Sequence, residues 1–142
     1  MDTVRAAETR YNIHKKANEL MRNNQLDAAE NVYRDALLIY PNKPGVILGL
    51  ASVLALKSNS EEAIELIERG IPLSINEKQK ATMRATLCFL YLKSGDSEKA
   101  KLLASELPHQ RESREVIEPI IAKSPCNDEI DRHIKYILLG ED

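Results

Sequence analysis

The chain has 142 residues and a formal net charge of −2 with both signs interspersed, which excludes a surface built for phosphate or anionic lipid. That length fits one domain, residues 1–142, with a core large enough to need no disulfide or metal staple. Trp is absent, Phe89 is the only Phe, and Ala, Leu, Ile, Lys and Glu dominate, so the composition favours an all-α fold over strands.

Thr3 is a good N-cap, and a first helix is predicted from there to Asn23. Residues 24–41 then read as a turn, a helix and a stop. Asn24 tolerates a left-handed turn. Leu26, Ala29, Val32, Tyr33, Ala36, Leu37 and Tyr40 recur at gaps of three and four, which makes one apolar stripe on a helix. Pro41 ends the run, because it has no N–H and biases its predecessor away from helix. A third helix starts after Asn42 with Pro44 in its first turn. In the next turn Ser58 stands at the place of Asn24, and Asn59 is expected to adopt the left-handed conformation instead. A short fourth helix is predicted over residues 60–69, with Gly70 as its C-terminal stop and Pro72 just beyond. Asn76 with Gln79 three residues on resembles a capping box and opens a fifth helix. Gly95 supplies the next turn, and Asp96 caps a sixth helix that closes before Pro108.

Beyond Pro108, Val116, Ile117, Ile120 and Ile121 form a helical stripe interrupted by Pro119, which predicts a kinked helix or two pieces. Ser124, Pro125 and Cys126 break the chain. Asn127 then caps a last helix whose first turn is acidic (Asp128, Glu129, Asp131), with Ile130, Ile134, Ile137 and Leu138 as its apolar face and Gly140 as its stop.

The chain repeats internally. Shifted by 34 residues, Ile13 meets Ile47, Ala17 meets Ala51, Leu20 meets Leu54, Ala29 meets Ala63, Val32 meets Leu66, Tyr33 meets Ile67 and Ala36 meets Gly70. A further shift of 37 places Ala51 on Cys88, Leu54 on Tyr91, Ala63 on Ala100, Leu66 on Leu103 and Gly70 on Leu107, the extra residues falling at 73–77. Small, aromatic, small, proline (Ala29, Tyr33, Ala36, Pro41) resembles the second helix of a tetratricopeptide repeat (TPR), and the resemblance covers residues 11–108, about two-thirds of the chain. It implies three helix pairs (residues 10–43, 44–76 and 77–109), with residues 110–142 as a decayed repeat or cap over the open end of the stack. It also implies a right-handed superhelix.

In that family the first helix of each pair lines a concave groove. The resemblance therefore implies a partner-binding groove formed by Tyr11, His14, Asn18, Met21 and Arg22, then Leu48, Ser52 and Ala55, then Thr82, Ala85, Phe89 and Leu92. Its polar end would fix a peptide backbone through His14, Asn18 and Arg22, and Phe89 would anchor an apolar segment. The alternative is that the chain's own carboxy-terminal helices pack over Leu48, Phe89 and Leu92, because exposed apolar patches are uncommon on monomers. Binding of acidic chaperone tails is not expected. The family's two-carboxylate clamp needs Lys and Asn, then Asn, then Lys and Arg, where this chain has His14 and Asn18, Gly49, and Thr82 and Thr86.

Nothing points to an enzyme, a cofactor or a metal. His14, His109 and His133 match no metal spacing, and the glycines are isolated. Cys126 with His133 is a loose nucleophile–base or metal pair, against which stands a surface cysteine beside a helical histidine. Cys88 occupies a small core position. Glu61, Glu62, Glu65 and Glu68 read as a solvated helix face. Two cysteines without a paired motif imply a reducing cytoplasm. Residues 1–11 carry Asp2, Arg5, Glu8 and Arg10, and no signal peptide or membrane span is expected.

Ser105 to Pro108, then Ser113, Arg114 and Glu115 before an apolar helix, then an acidic helix ending in Ile-Leu-Leu, resemble TPR regions fused behind helix-turn-helix domains in bacterial transcription regulators. The first reading is thus a non-enzymatic scaffold for a peptide or protein segment. The second is an effector-sensing or dimerisation domain of such a regulator, with a possible homodimer and no direct contact to nucleic acid.

Overall fold

The structure is a computed structural model that describes residues 2–108, 114–123 and 126–139. Among the described residues it is all-α and has no strand. The helices are α1 (Asp2–Arg22), α2 (Leu26–Ile39), α3 (Pro44–Leu56), α4 (Ser60–Gly70), α5 (Glu77–Lys93), α6 (Ser97–Ser105), α7 (Arg114–Ala122) and α8 (Asn127–Leu139), with a 3-10 turn at Ile71–Leu73. The first helix begins at Asp2, so Thr3 lies inside it and is not its cap. The break at Ser124 and Pro125, His109, Ser113, the stop at Gly140 and the side chain of Leu138 lie outside the described residues.

Three turns share one geometry. At Asn24 (φ 60°), Ser58 (φ 67°) and Gly95 (φ 88°) the backbone turns left-handed. In each turn the next N–H reaches back five residues at 2.8 Å, from Gln25 to Leu20, Asn59 to Leu54 and Asp96 to Tyr91. The left-handed residue itself donates to Met21, Ala55 or Leu92 at 3.0–3.1 Å. This is the Schellman pattern, which satisfies the last carbonyls of a helix. The three copies stand at the same 34- and 37-residue intervals as the apolar repeat. The strained residue in the second copy is Ser58, not Asn59, whose φ is −99°. Register decides this: the position follows Leu54 and Ala55 just as Asn24 follows Leu20 and Met21, so the turn takes whichever residue falls there.

Two helix starts, those of α5 and α6, are capped by side chains. Asn76 Oδ1 accepts from Gln79 N at 2.8 Å, and Asp96 Oδ1 from Lys99 N at 3.1 Å. Gln79 Oε1 accepts from Ile75 N at 2.8 Å, one residue earlier than a capping box requires. Pro44 stands in the first turn of α3, and Tyr40 N donates to Ala36 O at 2.8 Å as α2 closes before Pro41. α7 runs through Pro119 as one helix. α8 begins at Asn127 itself, with Cys126 O accepting from Ile130 N at 3.2 Å, so Asn127 is not the cap.

Each helix from α2 to α7 packs on its predecessor, and α3 also touches α1 and α5. Small residues stand where the helices approach: Ala17, Ala51 and Cys88 on the odd helices, and Ala29, Ala63 and Ala100 on the even ones, all fully buried. Tyr33 is buried because Gly49 makes room for its ring. A Cβ on Gly49 would lie 2.3 Å from Tyr33 Cζ. Gly70 is not a left-handed stop. Its φ is −78°, and α4 passes through it into the 3-10 turn. Its role is space, since a Cβ there would lie 2.4 Å from Met83 Cε.

The glutamates of α4 reach across helices rather than only into water. Arg34 joins Glu30 (2.7 Å) to Glu62 (3.1 Å), and Lys57 bridges Asp27 and Glu30, tying α2 to the end of α3 and to α4. Tyr91 Oη donates to Glu68 at 3.4 Å.

Candidate functional site

The odd-helix face follows from helix spacing. Leu48, Ser52 and Ala55 fall on one strip of α3, and Thr82, Ala85, Phe89 and Leu92 on one strip of α5. α8 lies on these two helices. The strip is accordingly mostly covered. Ser52 and Ala55 are fully buried, Ala85 and Phe89 nearly so, and Leu48, Thr82 and Leu92 are half-buried.

α8 is held by apolar, aromatic and charged contacts. Ile130 and Ile134, one turn apart, are buried. The His133 ring stacks on Phe89 with centroids 5.3 Å apart and planes 3° from parallel. Lys93, whose side chain is only 4 % exposed, donates from Nζ to the carbonyl of Ala55 near the end of α3 and to Asp131 Oδ1 at 2.5 Å. Falling numbers on α5 (93, 89) meet rising numbers on α8 (131, 133), so the two helices run antiparallel. Ser52 Oγ is buried with no hydrogen-bond partner among the described residues, a cost of about 1–3 kcal/mol for a hydroxyl.

The α1 end differs. Tyr11 is 67 % exposed and Arg22 is exposed, whereas Met21 is in the core. His14 is directed inward, its Nδ1 3.1 Å from Tyr33 Oη. Burial pushes the Tyr33 phenol well above its usual range, so the hydroxyl stays protonated and His14 serves as its partner. Asn18 Oδ1 is buried without a hydrogen-bond partner among the described residues. A cleft of about 270 Å³ opens here between His14, Pro44, Val46, Gln79 and the exposed Ile75.

The residues standing at the chaperone-clamp places do not face a ligand as a set. Gly49 packs under Tyr33, and Thr86 is buried with its hydroxyl donating to Thr82 O at 2.9 Å. Burial pushes the Cys88 thiol up to about 12, and its Sγ donates to Ala100 O at 3.7 Å. Cys126 is exposed, while the His133 ring is engaged with Phe89. Among the described residues no group of three His, Cys, Asp or Glu could hold a metal, and no helix is long and apolar enough to cross a membrane.

Sequence reasoning missed Lys93 and Asp131 as a site pair. The available signal was α3 itself, which from Pro44 to Leu56 has Ser52 as its one polar side chain. A helix without a polar face has none to give to water, so a further element must cover it. No protein-family model matches the chain, and no curated protein or solved structure matches it.

Proposed function

We propose that the chain is a non-enzymatic, TPR-like scaffold whose odd-numbered helices offer a face to a segment of another protein. The observation that supports this most is α8, seated across α3 and α5, since it marks that face as a surface that accepts a helix. The three turns recurring with the apolar repeat support the stacked-hairpin reading. On this reading Tyr11 and Arg22, both exposed, are the part of the face that α1 contributes. Affinity capture from the source cell tests this with the wild type beside a Tyr11→Ala/Arg22→Ala variant. Both side chains are exposed, so the variant keeps its fold. The expected result is a protein held by the wild type and lost by the variant, and identical capture by both would contradict it.

A second reading is a dimerisation domain of a regulator. It is favoured by Leu38 and Ile39, adjacent on α2 and 84 % and 65 % exposed. Light scattering that shows a dimer abolished by Leu38→Glu would select this reading.

A further inference from the structure

α8 stands outside the serial order of the stack. Helices α2 to α7 each pack on the helix before, whereas α8 crosses back to α3 and α5. Nor does it close the end of the stack. A cleft of about 410 Å³ between α6 and α7, lined by Lys101, Ala104, Glu118 and Ile121, remains open. Another of about 430 Å³ lies between α7 and α8, bordered by Val116, Ile120, Arg132 and Tyr136. α8 is therefore gripped on one flank and open on the other.

Its seat has a defined chemistry. Lys93 presents an enclosed ammonium where α5 ends, and Asp131 neutralises it. Phe89 presents a flat ring. Ala55 and Ala85 leave room for a helix backbone to approach. Ser52 offers a buried hydroxyl that α8 leaves unmet. The seat thus asks for a helix with a carboxylate near its amino end, a flat or apolar side chain two residues later, and aliphatics one turn apart. α8 satisfies all of these except Ser52.

We propose that the α3–α5 face is a receptor for an acidic amphipathic helix of a partner protein, with α8 as a resident stand-in that the partner displaces. This rests on the reading of the chain as a binding scaffold and names the partner's chemistry. A tethered helix competes at an effective concentration of about millimolar, so it suppresses any free helix of similar affinity. A partner helix that also pairs with Ser52 outcompetes it.

The test uses the full chain and a fluorescent peptide of residues 126–139 with Cys126→Ser as probe. Asp131→Lys in the chain sets two cations against each other and frees the seat. The variant should bind the probe at least tenfold more tightly than the wild type does. Adding Lys93→Glu restores an internal pair and should erase that gain. A probe carrying Asp131→Lys should not bind the single variant. Equal binding by wild type and Asp131→Lys, or no binding by a variant with unchanged helix content, would overturn the proposal. A stable dimer formed by exchange of α8 would overturn it too, by assigning the seat to a second copy. Should Asp131→Lys fail to fold, hydrogen exchange on the wild type decides. The α8 amides should exchange at least tenfold faster than those of α3 and α5, and equal protection would overturn the proposal. A negative probe result beside positive partner capture removes the receptor assignment and leaves the scaffold reading intact.

Discussion

Gly49 and Gly70 are both helical glycines, and each answers a different neighbour. Alanine at an exposed helix interior normally gains about 1 kcal/mol over glycine. At Gly49 the new Cβ would lie 2.3–2.4 Å from ring carbons of Tyr33, a fully buried side chain with nowhere to move. Overpacking of this kind costs about 1–3 kcal/mol. With the alanine gain set against it the net cost is about 1 kcal/mol, so we expect Gly49→Ala to lower Tm by about 3 °C, taking roughly 3 °C per kcal/mol for a chain of this size. At Gly70 the closest atom is the flexible end of Met83, so Gly70→Ala should lower Tm by less than half as much. Thermal unfolding of the two variants side by side checks this order. The cysteines offer a second test at this scale. Cys88 is fully buried and its thiol is pushed up to about 12, whereas Cys126 is exposed. A thiol reagent at pH 8 should modify one thiol per native chain and two after denaturation, and two fast native thiols would mean that Cys88 is not in the core. Asn24 and Gly95 were legible as left-handed turns because glycine has no Cβ to clash there and asparagine tolerates that conformation. Ser58 was not, because the strain there is imposed by the repeat register and its own side chain gives no sign of it. Gly70 misled for the converse reason: a glycine before Pro72 suggests a stop, while its packing against Met83 leaves no mark in the local sequence.

At the scale of elements, apolar spacing showed which face of each helix turns inward but not what would cover it. The stripe of α2 was readable in full, and Ala29, Tyr33 and Ala36 are its buried residues. The strips of α3 and α5 were readable too, and their pattern left two covers open for Phe89, a partner segment or the chain's own carboxy-terminal helices; its neighbour is His133 of the same chain. The contact joins residues 44 apart, and no local signal spans that distance. The glutamates of α4 illustrate the same limit, since Glu62 has a neighbour within its own turn and a stronger one, Arg34, on α2. Between α2 and α3, hydrogen bonds from Lys57 and Arg34 hold the Glu30 carboxyl below its ordinary range. A depressed carboxylate stabilises the fold fully above the unfolded value near 4.5, and this stabilisation is lost as pH falls through the lower folded value. We expect the wild type to lose more Tm between pH 6 and pH 3 than Glu30→Gln, which has no proton to take up at this site. Parallel losses would show that the bridge contributes nothing.

The whole molecule is a run of hairpins whose last helix turns back instead of continuing. The interval between repeats was legible because small residues must recur wherever helix backbones approach, and Ala29, Ala63 and Ala100 are fully buried. The fate of the last helix was not legible. An amphipathic helix with an acidic start fits an end cap and a groove equally well by pattern, and the choice is made by Lys93 and Phe89, far back in the chain. The end of the stack at α6 and α7 consequently keeps an open cleft, and the α3–α5 face gains an occupant. The most direct measurement uses the single Phe of this chain. With phenylalanine selectively labelled, the aromatic NMR signals belong to Phe89 alone. A Phe89 ring with nuclear Overhauser contacts to the His133 ring and to Ile130 or Ile134 methyls is the expected result. A ring that shows contacts only within α5 and to its hairpin partners, with none to α8, would contradict the seating of α8 on the α3–α5 face.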